Sequence, residues 1–236
     1  MSGTTSPDPS FDSFATNYEA ALNEGLKFTG EDRWYYARHR CQWTARSVAG
    51  HGLETRRILD FGCGTGTGTR PLLESFPQAR VIGSDPSGES LEVARKDYAD
   101  LSCEFVLPAH LAEVPACDLA YCNGVFHHIP PPERTAAARS VFEALKPGGW
   151  FALWENNPWN PAVWFVMSRV PFDHDAIMLW PGETGDLLRS VGFRVVTTSY
   201  HFVFPGFLSP LRRLEGVLSP WPLGGQYVVL AQKPVG

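Results

Sequence analysis

Four glycines lie within seven residues in the stretch ILDFGCGTGTGTRPLL, residues 58 to 73. An apolar run precedes them and an apolar, helix-like run follows, which predicts a turn from a buried strand into a helix. Because glycine has no Cβ, a ligand can approach the backbone N–H groups and the helix N-terminus closely. The stretch therefore indicates a binding site for a nucleotide-like ligand.

The glycine spacing differs from that of dinucleotide-binding proteins, which carry GxGxxG. Counted from Gly62, the third glycine position is Thr67, and counted from Gly64 it is Thr69. Neither register fits the dinucleotide pattern. An NAD-dependent oxidoreductase is therefore a disfavoured interpretation.

Residues capable of acid–base chemistry follow two later apolar runs. His127 and His128 lie in FHHIPPP, and Glu155 ends GWFALWE. A histidine titrates near neutral pH, so either one could act as general base, with Glu155 as the rival candidate. The structural alternatives are helix capping or packing for the histidines and a supporting hydrogen bond for the carboxylate.

Strands and helices alternate from Arg57 onward, and this order would bring these residues together. The predicted strands are RRILDFG, ARVIGSD, CEFVL, CDLAYCN and GWFALWE, followed by FRVVTTSYHFVF and QYVVLAQKP. The alternation predicts an α/β fold: a Rossmann-like, seven-stranded, mostly parallel sheet with helices on both faces. The two closing strands are predicted to form an antiparallel hairpin at the edge, with the last strand antiparallel.

The remaining chain predicts three further features. Residues 1–10 are predicted to be a disordered tail, since they contain little apolar surface, and residues 11–52 an N-terminal helical cap. Residues 53–236 form the main domain, with an insertion at about 156–180 after the fifth strand, where prolines and aromatics interrupt the alternation.

Composition narrows the possible partners. The 236 residues suit one domain, and the net charge of -5 comes without a basic run, which argues against nucleic acid. No apolar stretch reaches the length of a membrane span and the N-terminus lacks an export signal, so we expect a cytoplasmic protein without a membrane partner. The five cysteines contain no CxxC pair, so no disulfide framework, zinc site or other metal is expected.

The order of these motifs resembles the class I S-adenosylmethionine-dependent methyltransferases of the small-molecule type. The glycines read D-x-G-x-G-x-G from Asp60 to Gly66, and VIGSDPS places Asp85 after the next strand. CDLAYCNGVFHHI and FEALKPGGWFALWE are similar to the family's fourth-strand and fifth-strand segments. The resemblance runs from Ile58 to Gly149 and implies S-adenosylmethionine as the cofactor.

The resemblance also implies roles for individual residues. Asp60 would hold the loop and meet the amino group of the cofactor, Asp85 would bind the ribose, and Asn123 would offer its backbone. Tyr18 would close over the cofactor. The remaining implied cofactor contacts are Gly62, Cys63, Gly64 and Gly66 at the methionine and ribose, and Pro86 and Ser87 at the adenine.

One segment departs from the family pattern. An acidic residue commonly follows the third strand and accepts from the adenine amino group, but here the segment reads FVLPAHLAEVP. His110 lies nearest that position, and either its neutral imidazole or the backbone around Leu111 could take over. A surface loop is the alternative reading of His110.

The leading hypothesis is methyl transfer to an oxygen or carbon of a small, partly apolar molecule in specialised metabolism, by a monomer or homodimer. Aromatic residues in the cap, the insertion and the closing segment could line the acceptor pocket. They are Trp34, Tyr35, Tyr36, Trp159, Trp164, Phe165, Phe172, Phe202, Phe204, Phe207 and Trp221. A cofactor-dependent rearrangement or cyclisation without methyl transfer, or a non-catalytic cofactor-binding module, are the alternatives.

Overall fold

A computed structural model describes residues 30–169 and 175–235 of the chain. The strands are β1 (Arg57–Phe61), β2 (Arg80–Ser84), β3 (Cys103–Val106), β4 (Cys117–Asn123), β5 (Leu145–Asn156), β6 (Arg194–His201) and β7 (Gln226–Gln232). The helices are α1 (Arg33–Gly50), α2 (Thr69–Ser75), α3 (Gly88–Asp97), α4 (Arg134–Ala144), α5 (Pro161–Met167), α6 (Pro181–Ser190) and α7 (Glu215–Leu218). Short 3₁₀ segments cover Pro108–Glu113, Pro131–Glu133 and Gly206–Leu214.

The strands form one seven-stranded sheet in the order β3-β2-β1-β4-β5-β7-β6. β1 pairs in parallel with both β2 and β4, so the strand order reverses between β1 and β4. β7 runs antiparallel to β5 on one side and to β6 on the other. In sheets of this kind ligands bind beyond the carboxyl ends of the strands at the reversal point.

Helices cover both faces of the sheet. On one face α1 and α2 pack through Cys41, Val48 and Leu72 against alternate residues of the central strands. On the other face α4 and α6 contribute Ala138 and Leu188 to a second buried cluster. Because successive strand residues point to opposite faces, apolar residues on both faces make the central strands almost continuously apolar in sequence.

Local sequence sets several helix ends. Asp32 caps α1, since its Oδ1 accepts the Tyr35 N–H at 2.8 Å. Ser87 caps α3 in the same way through its hydroxyl, which accepts the Ser90 N–H at 3.1 Å. α4 ends at Ala144 before Pro147 and Gly148, the latter with a φ of +80°.

The predicted fold is confirmed: the sheet has seven strands, is mostly parallel, carries helices on both faces and ends in an antiparallel strand. β6 and β7 pair antiparallel as predicted. Of these two strands, β6 is the edge strand and β7 lies between β5 and β6. β6 also ends at His201, earlier than predicted, because Phe202 adopts a φ of +66° that ends the strand. Residues 1–29, with the predicted tail and Tyr18, lie outside the described residues, as does Phe172.

Within the predicted insertion the structure describes α5 and the stretch from residue 175 to the start of α6. All five cysteines are free thiols. In the described part of the chain no helix combines the length and apolar character that a membrane crossing requires.

Candidate active site

The glycine loop leaves β1 at the reversal point of the sheet and is held by β2. Gly62 and Cys63 donate their N–H groups to the Ser84 carbonyl at 2.8 and 3.2 Å. Gly62 has a φ of +72°, and a Cβ there would lie 2.3 Å from a methyl carbon of Val125. A Cβ on Gly64, also at positive φ, would meet nothing within 4 Å. At Gly62 the glycine loop packs against Val125, which follows β4. At Gly64 the loop leaves open space for a ligand.

Asp85 connects the end of β2 to this loop. One carboxylate oxygen accepts the Gly64 N–H at 2.8 Å and the other accepts the Ser87 N–H at 2.9 Å. Each carboxylate oxygen can accept more than one hydrogen bond. Asp85 therefore lies against the open side of the loop.

Asp60, the fourth residue of β1, is a buried carboxylate whose Oδ2 has no hydrogen-bond partner. Burial, and then the negative charge of Asp85, raise the pKa of Asp60 to about 7, against the opposing effect of Arg40. An unpaired buried carboxylate is stabilised by a cation or a hydrogen-bond donor. The base of the loop is therefore suited to a positively charged ligand group.

The end of β4 presents a second unpartnered acceptor. The Oδ1 atom of Asn123 is buried and has no hydrogen-bond partner. β4 lies next to β1 in the sheet, so Asn123 and Asp60 are on the two strands that flank the reversal point. Buried polar groups are normally paired, and two unpaired acceptors at this edge indicate a polar ligand.

His127 and Glu155 form a buried pair on the opposite face. Nδ1 of His127 lies 2.5 Å from Oε2 of Glu155, and both side chains are almost inaccessible to solvent. Oε1 of Glu155 accepts the N–H groups of Val125 and Phe126 at 3.2 and 2.8 Å. Burial raises the pKa of Glu155, but His127 and the Phe126 N–H outweigh it and leave this pKa below its usual value.

The Glu155 contacts hold the loop after β4 in place. Arg134 adds to this by donating from Nε to the carbonyls of Phe126 and Ile129 at 3.1 and 2.9 Å. His128 is half-buried, with its ring centroid 4.1 Å from that of His127. Both oxygens of Glu155 are thus engaged within the protein, which favours the supporting role that the sequence left open for it.

Arg40 is a site residue that our sequence analysis did not select. It is only 9% exposed, and it donates to the Tyr121 hydroxyl at 3.2 Å and to the Gln226 side-chain oxygen at 2.9 Å. Among the described residues no carboxylate lies within ion-pair distance of it. A buried cation without a counter-ion is costly, so Arg40 is suited to an anionic ligand group. Its helical spacing with the buried Ala37, Cys41 and Thr44 is the signal that could have revealed it.

Comparisons with known proteins show similarity to methyltransferases. Residues 58–149 match the family profile described as a methyltransferase domain. A trans-aconitate 2-methyltransferase of Rhodopseudomonas palustris (strain BisB5) is 31% identical over 121 residues, 51% of this chain and 46% of that protein. A malonyl-[acyl-carrier protein] O-methyltransferase of Halalkalibacterium halodurans is 38% identical over 103 residues, 41% of this chain and 37% of that protein.

A solved structure agrees at the level of the fold. It is an S-adenosylmethionine-dependent methyltransferase from Thermotoga maritima, described as a possible histamine N-methyltransferase. Its TM-score is 0.63 at 21% identity, over 94% of this chain and 97% of that one. Residues 58–149 thus resemble a methyltransferase domain, and the fold of the chain is that of S-adenosylmethionine-dependent methyltransferases. The chain spans less than half the length of the two curated relatives above.

The cofactor of these methyltransferases is S-adenosylmethionine, and the charges of this site fit it. Its amino-acid end carries an ammonium and a carboxylate beside the sulfonium. The buried, unpaired Oδ2 of Asp60 suits the cationic groups, and the buried guanidinium of Arg40 suits the carboxylate. The open side of Gly64 leaves room for such a ligand.

The structure also shows the surroundings of the other residues that were predicted to contact the cofactor. The thiol of Cys63 points into a small core cluster with Leu91 and Phe105, while the Gly66 N–H bonds to the Cys63 carbonyl at 2.9 Å. Pro86 is exposed beside Asp85, and the Ser87 hydroxyl caps α3. His110 is exposed, with its Nδ1 3.1 Å from Glu113, and the neighbouring Leu111 is buried in the core.

Proposed function

We propose that this methyltransferase transfers the methyl group of S-adenosylmethionine to an oxygen or carbon of a small, partly apolar molecule, in specialised metabolism. The observation that carries the proposal is the juxtaposition of the open glycine loop, the unpaired Asp60 carboxylate and Asp85 at the strand reversal point. When bound, the cofactor supplies an electrophilic methyl group on a positively charged sulfur. The two curated relatives act, by their names, on trans-aconitate and on malonyl-[acyl-carrier protein].

The residues of the chain would bind the cofactor at three points. Asp85 would accept the ribose hydroxyls from its place beside Gly64 and Ser87. Asp60 would balance the positive charge, and Arg40 would pair with the carboxylate of the amino-acid end. Pro86, Ser87 and the His110–Leu111 backbone would hold the adenine, and Tyr18 would close over the cofactor.

The proton of the acceptor is assigned to the histidine pair. Methyl transfer to a hydroxyl or a carbon acid releases a proton, which a neutral imidazole near the reacting atom can accept. Nδ1 of His127 contacts Glu155, which fixes the orientation of the imidazole ring. His128, next to it and half-buried, is the second candidate. We assign Glu155 the task of orienting His127.

The domain organisation belongs to the same proposal. We assign residues 53–236 to the cofactor-binding domain, residues 11–52 to an N-terminal helical cap and residues 1–10 to a tail, with a substrate insertion at about 156–180. The chain acts in the cytoplasm as a monomer or homodimer on a small molecule, without a nucleic-acid or membrane partner.

Mass analysis of reaction products tests the function. The chain is incubated with S-adenosylmethionine and a panel of small acids, phenols and thioesters that includes trans-aconitate and a malonyl thioester. We expect one product heavier by a methyl group together with S-adenosylhomocysteine. Conversion of an acceptor without methylation or S-adenosylhomocysteine release would instead establish a rearrangement or cyclisation.

Two variants separate binding from turnover. We expect Asp85→Ala to weaken S-adenosylhomocysteine binding at least tenfold in calorimetry, because the ribose loses a charged acceptor. His128→Ala or His127→Gln should bind S-adenosylhomocysteine normally and turn over more slowly by about 10². His51→Ala, at the exposed end of α1, is the matched histidine control. Unchanged affinity of the Asp85 variant would contradict the ribose assignment.

A further inference from the structure

A second group of histidines lies at the carboxyl edge of the sheet, on the face covered by α1. Nε2 of His39 in α1 is 3.3 Å from Nδ1 of His201 at the end of β6. Nε2 of His201 is in turn 2.9 Å from the Ser199 hydroxyl. These three side chains form a row of hydrogen bonds. His201 and Ser199 are buried, whereas His39 is half-buried, so a ligand can reach the row at His39.

The hydrogen-bond chain fixes where the proton of His39 resides. Ser199 has no other acceptor for its O–H in the described structure, so its hydroxyl donates to Nε2 of His201. A neutral His201 then carries its proton on Nδ1 and donates it to Nε2 of His39. The proton of a neutral His39 therefore lies on Nδ1, which has no acceptor among the described residues. Within the described residues, the row of hydrogen bonds therefore ends at the Nδ1–H group of His39, which can donate to a ligand.

Both rings are neutral at physiological pH. Burial and, after it, the charges of Arg46, Arg40 and Arg212 together lower the pKa of His39 to about 4. Burial, together with His39 and Arg46, lowers the pKa of His201 to about 3. The surroundings of His39 are thus electropositive.

The acids near this group are engaged by the protein. Glu31 pairs with Arg212 at 2.8 Å, and Glu215 is buried and accepts the Phe204 N–H at 3.0 Å. The charges of the same three arginines lower the pKa of His39, and no carboxylate of the described residues counteracts this shift. The remaining positive potential attracts an anion.

The backbone is strained where this group meets the sheet. Phe202 is the one non-glycine residue with positive φ in the described ranges, at +66°. Its ring centroid lies 4.7 Å from that of His39 and 4.9 Å from that of Tyr36. Gly224 allows this conformation, since a Cβ there would lie 2.1 Å from the His201 carbonyl oxygen. Strained backbone conformations of this kind cluster at functional sites.

We propose that His39 donates a hydrogen bond to a carboxylate on the methyl acceptor, with Phe202 and Tyr36 packing against the apolar part of that molecule. This site is distinct from the reacting end. β6 is three strands from β4, so about 14 Å of sheet at ~4.8 Å per strand separates His201 from Asn123. The acceptor is therefore a carboxylic acid with an apolar part.

The proposal rests on the proposed function and defines its substrate class. It is tested by NMR of the histidine ring signals in the protein saturated with S-adenosylhomocysteine. The probes are adipate, benzoate and trans-aconitate, each compared with its neutral amide. We expect the acids to shift the His39 ring signals and to raise its pKa, while the amides leave both unchanged.

Variants separate a binding role from a structural one. We expect His39→Gln to weaken binding of the acids about tenfold, at unchanged affinity for S-adenosylhomocysteine. His51→Gln on the same helix should bind them normally. With any acceptor found, His39→Gln should raise KM for the acid and leave kcat within about twofold. The proposal would be overturned if acids and amides shifted the His39 ring signals equally, or if the acids left these signals unchanged. Absence of S-adenosylhomocysteine binding would instead count against the proposed function.

Discussion

Asp60 is a buried carboxylate whose pKa is raised in the folded protein. Its folded pKa of about 7 lies above the value near 3.9 of an unfolded aspartate, so the folded state binds more protons between those values. Stability therefore falls as pH rises from about 4 to 7. A cationic ligand next to this carboxylate reverses the effect by favouring the ionised form. Binding and ionisation are thus coupled at this position.

We expect Asp60→Asn to raise the free energy of unfolding at pH 8 by on the order of 2 kcal/mol and to leave it unchanged near pH 4. Urea unfolding at the two pH values measures this. The same substitution should weaken S-adenosylhomocysteine binding, most clearly at high pH. Asp100→Asn, at an exposed turn, provides the control and should change neither quantity. A variant less stable than the parent at pH 8 would contradict the assignment.

Glu155 shows the opposite behaviour. Its net lowered pKa means that the ionised form is favoured in the fold, so its stabilisation is present above pH ~4.3 and disappears as pH falls through the folded pKa. The carboxylate accepts from two backbone N–H groups and engages His127. Most of its effect on the loop after β4 is therefore electrostatic.

For Glu155→Gln we expect a loss of about 2 kcal/mol at pH 7, because the amide keeps the backbone contacts and loses the charge opposite His127. Glu155→Ala should lose about 3–5 kcal/mol, since it leaves buried donors unpaired. Denaturant unfolding at pH 7 and pH 3.5 should show the difference from the parent shrinking at the lower pH. Glu113→Gln, in an exposed pair with His110, should stay within about 0.5 kcal/mol.

Among the elements of the fold, the connection from β6 to β7 positions Phe202, which we place against the methyl acceptor. The Gly225 N–H bonds to the Phe202 carbonyl at 3.1 Å, and Asn157 donates its side-chain amide to the Gly224 carbonyl at 2.7 Å. These contacts join the end of β5 to the chain entering β7. The close approach at Gly224 is therefore a requirement of this junction.

Gly224→Ala should lower the free energy of unfolding by at least about 2 kcal/mol, because the new methyl group overlaps the backbone of His201. Thermal or urea unfolding gives the number. The matched substitution is Gly182→Ala at the start of α6, where a Cβ meets nothing within 4 Å. That variant should be neutral or more stable by up to about 1 kcal/mol. Equal effects at both positions would show that the connection tolerates a side chain.

At the scale of the whole molecule, cofactor binding adds to folding stability. A ligand at 100 times its Kd that binds only the folded state contributes about 2.7 kcal/mol. For a 236-residue chain we expect S-adenosylhomocysteine at that excess to raise Tm by about 5–10 °C. NAD⁺ at the same concentration should leave Tm unchanged, and Asp85→Ala should lose most of the shift. A similar shift with NAD⁺ would contradict the cofactor assignment.

The amino-acid sequence by itself determined the fold and the cofactor loop. Strand and helix periodicities are local, and the DxGxGxG turn places Asp60 and Asp85 at the ends of neighbouring parallel strands whatever the remaining packing. Parallel connections of one hand leave few alternatives for the sheet. The seven strands and the antiparallel last strand followed from this pattern.

Only the tertiary structure decided the environments of the charged and polar side chains. Arginine is usually exposed, but Arg40 becomes a buried cation with only neutral hydrogen-bond acceptors among the described residues, because α1 packs against β4 and β7. Glu155 and His127 are 28 positions apart, and His39 and His201 are 162 apart, so no local pattern could pair them. Desolvation and charge–charge interactions depend on such long-range contacts, and they set which groups ionise, which donate and which remain free for a ligand.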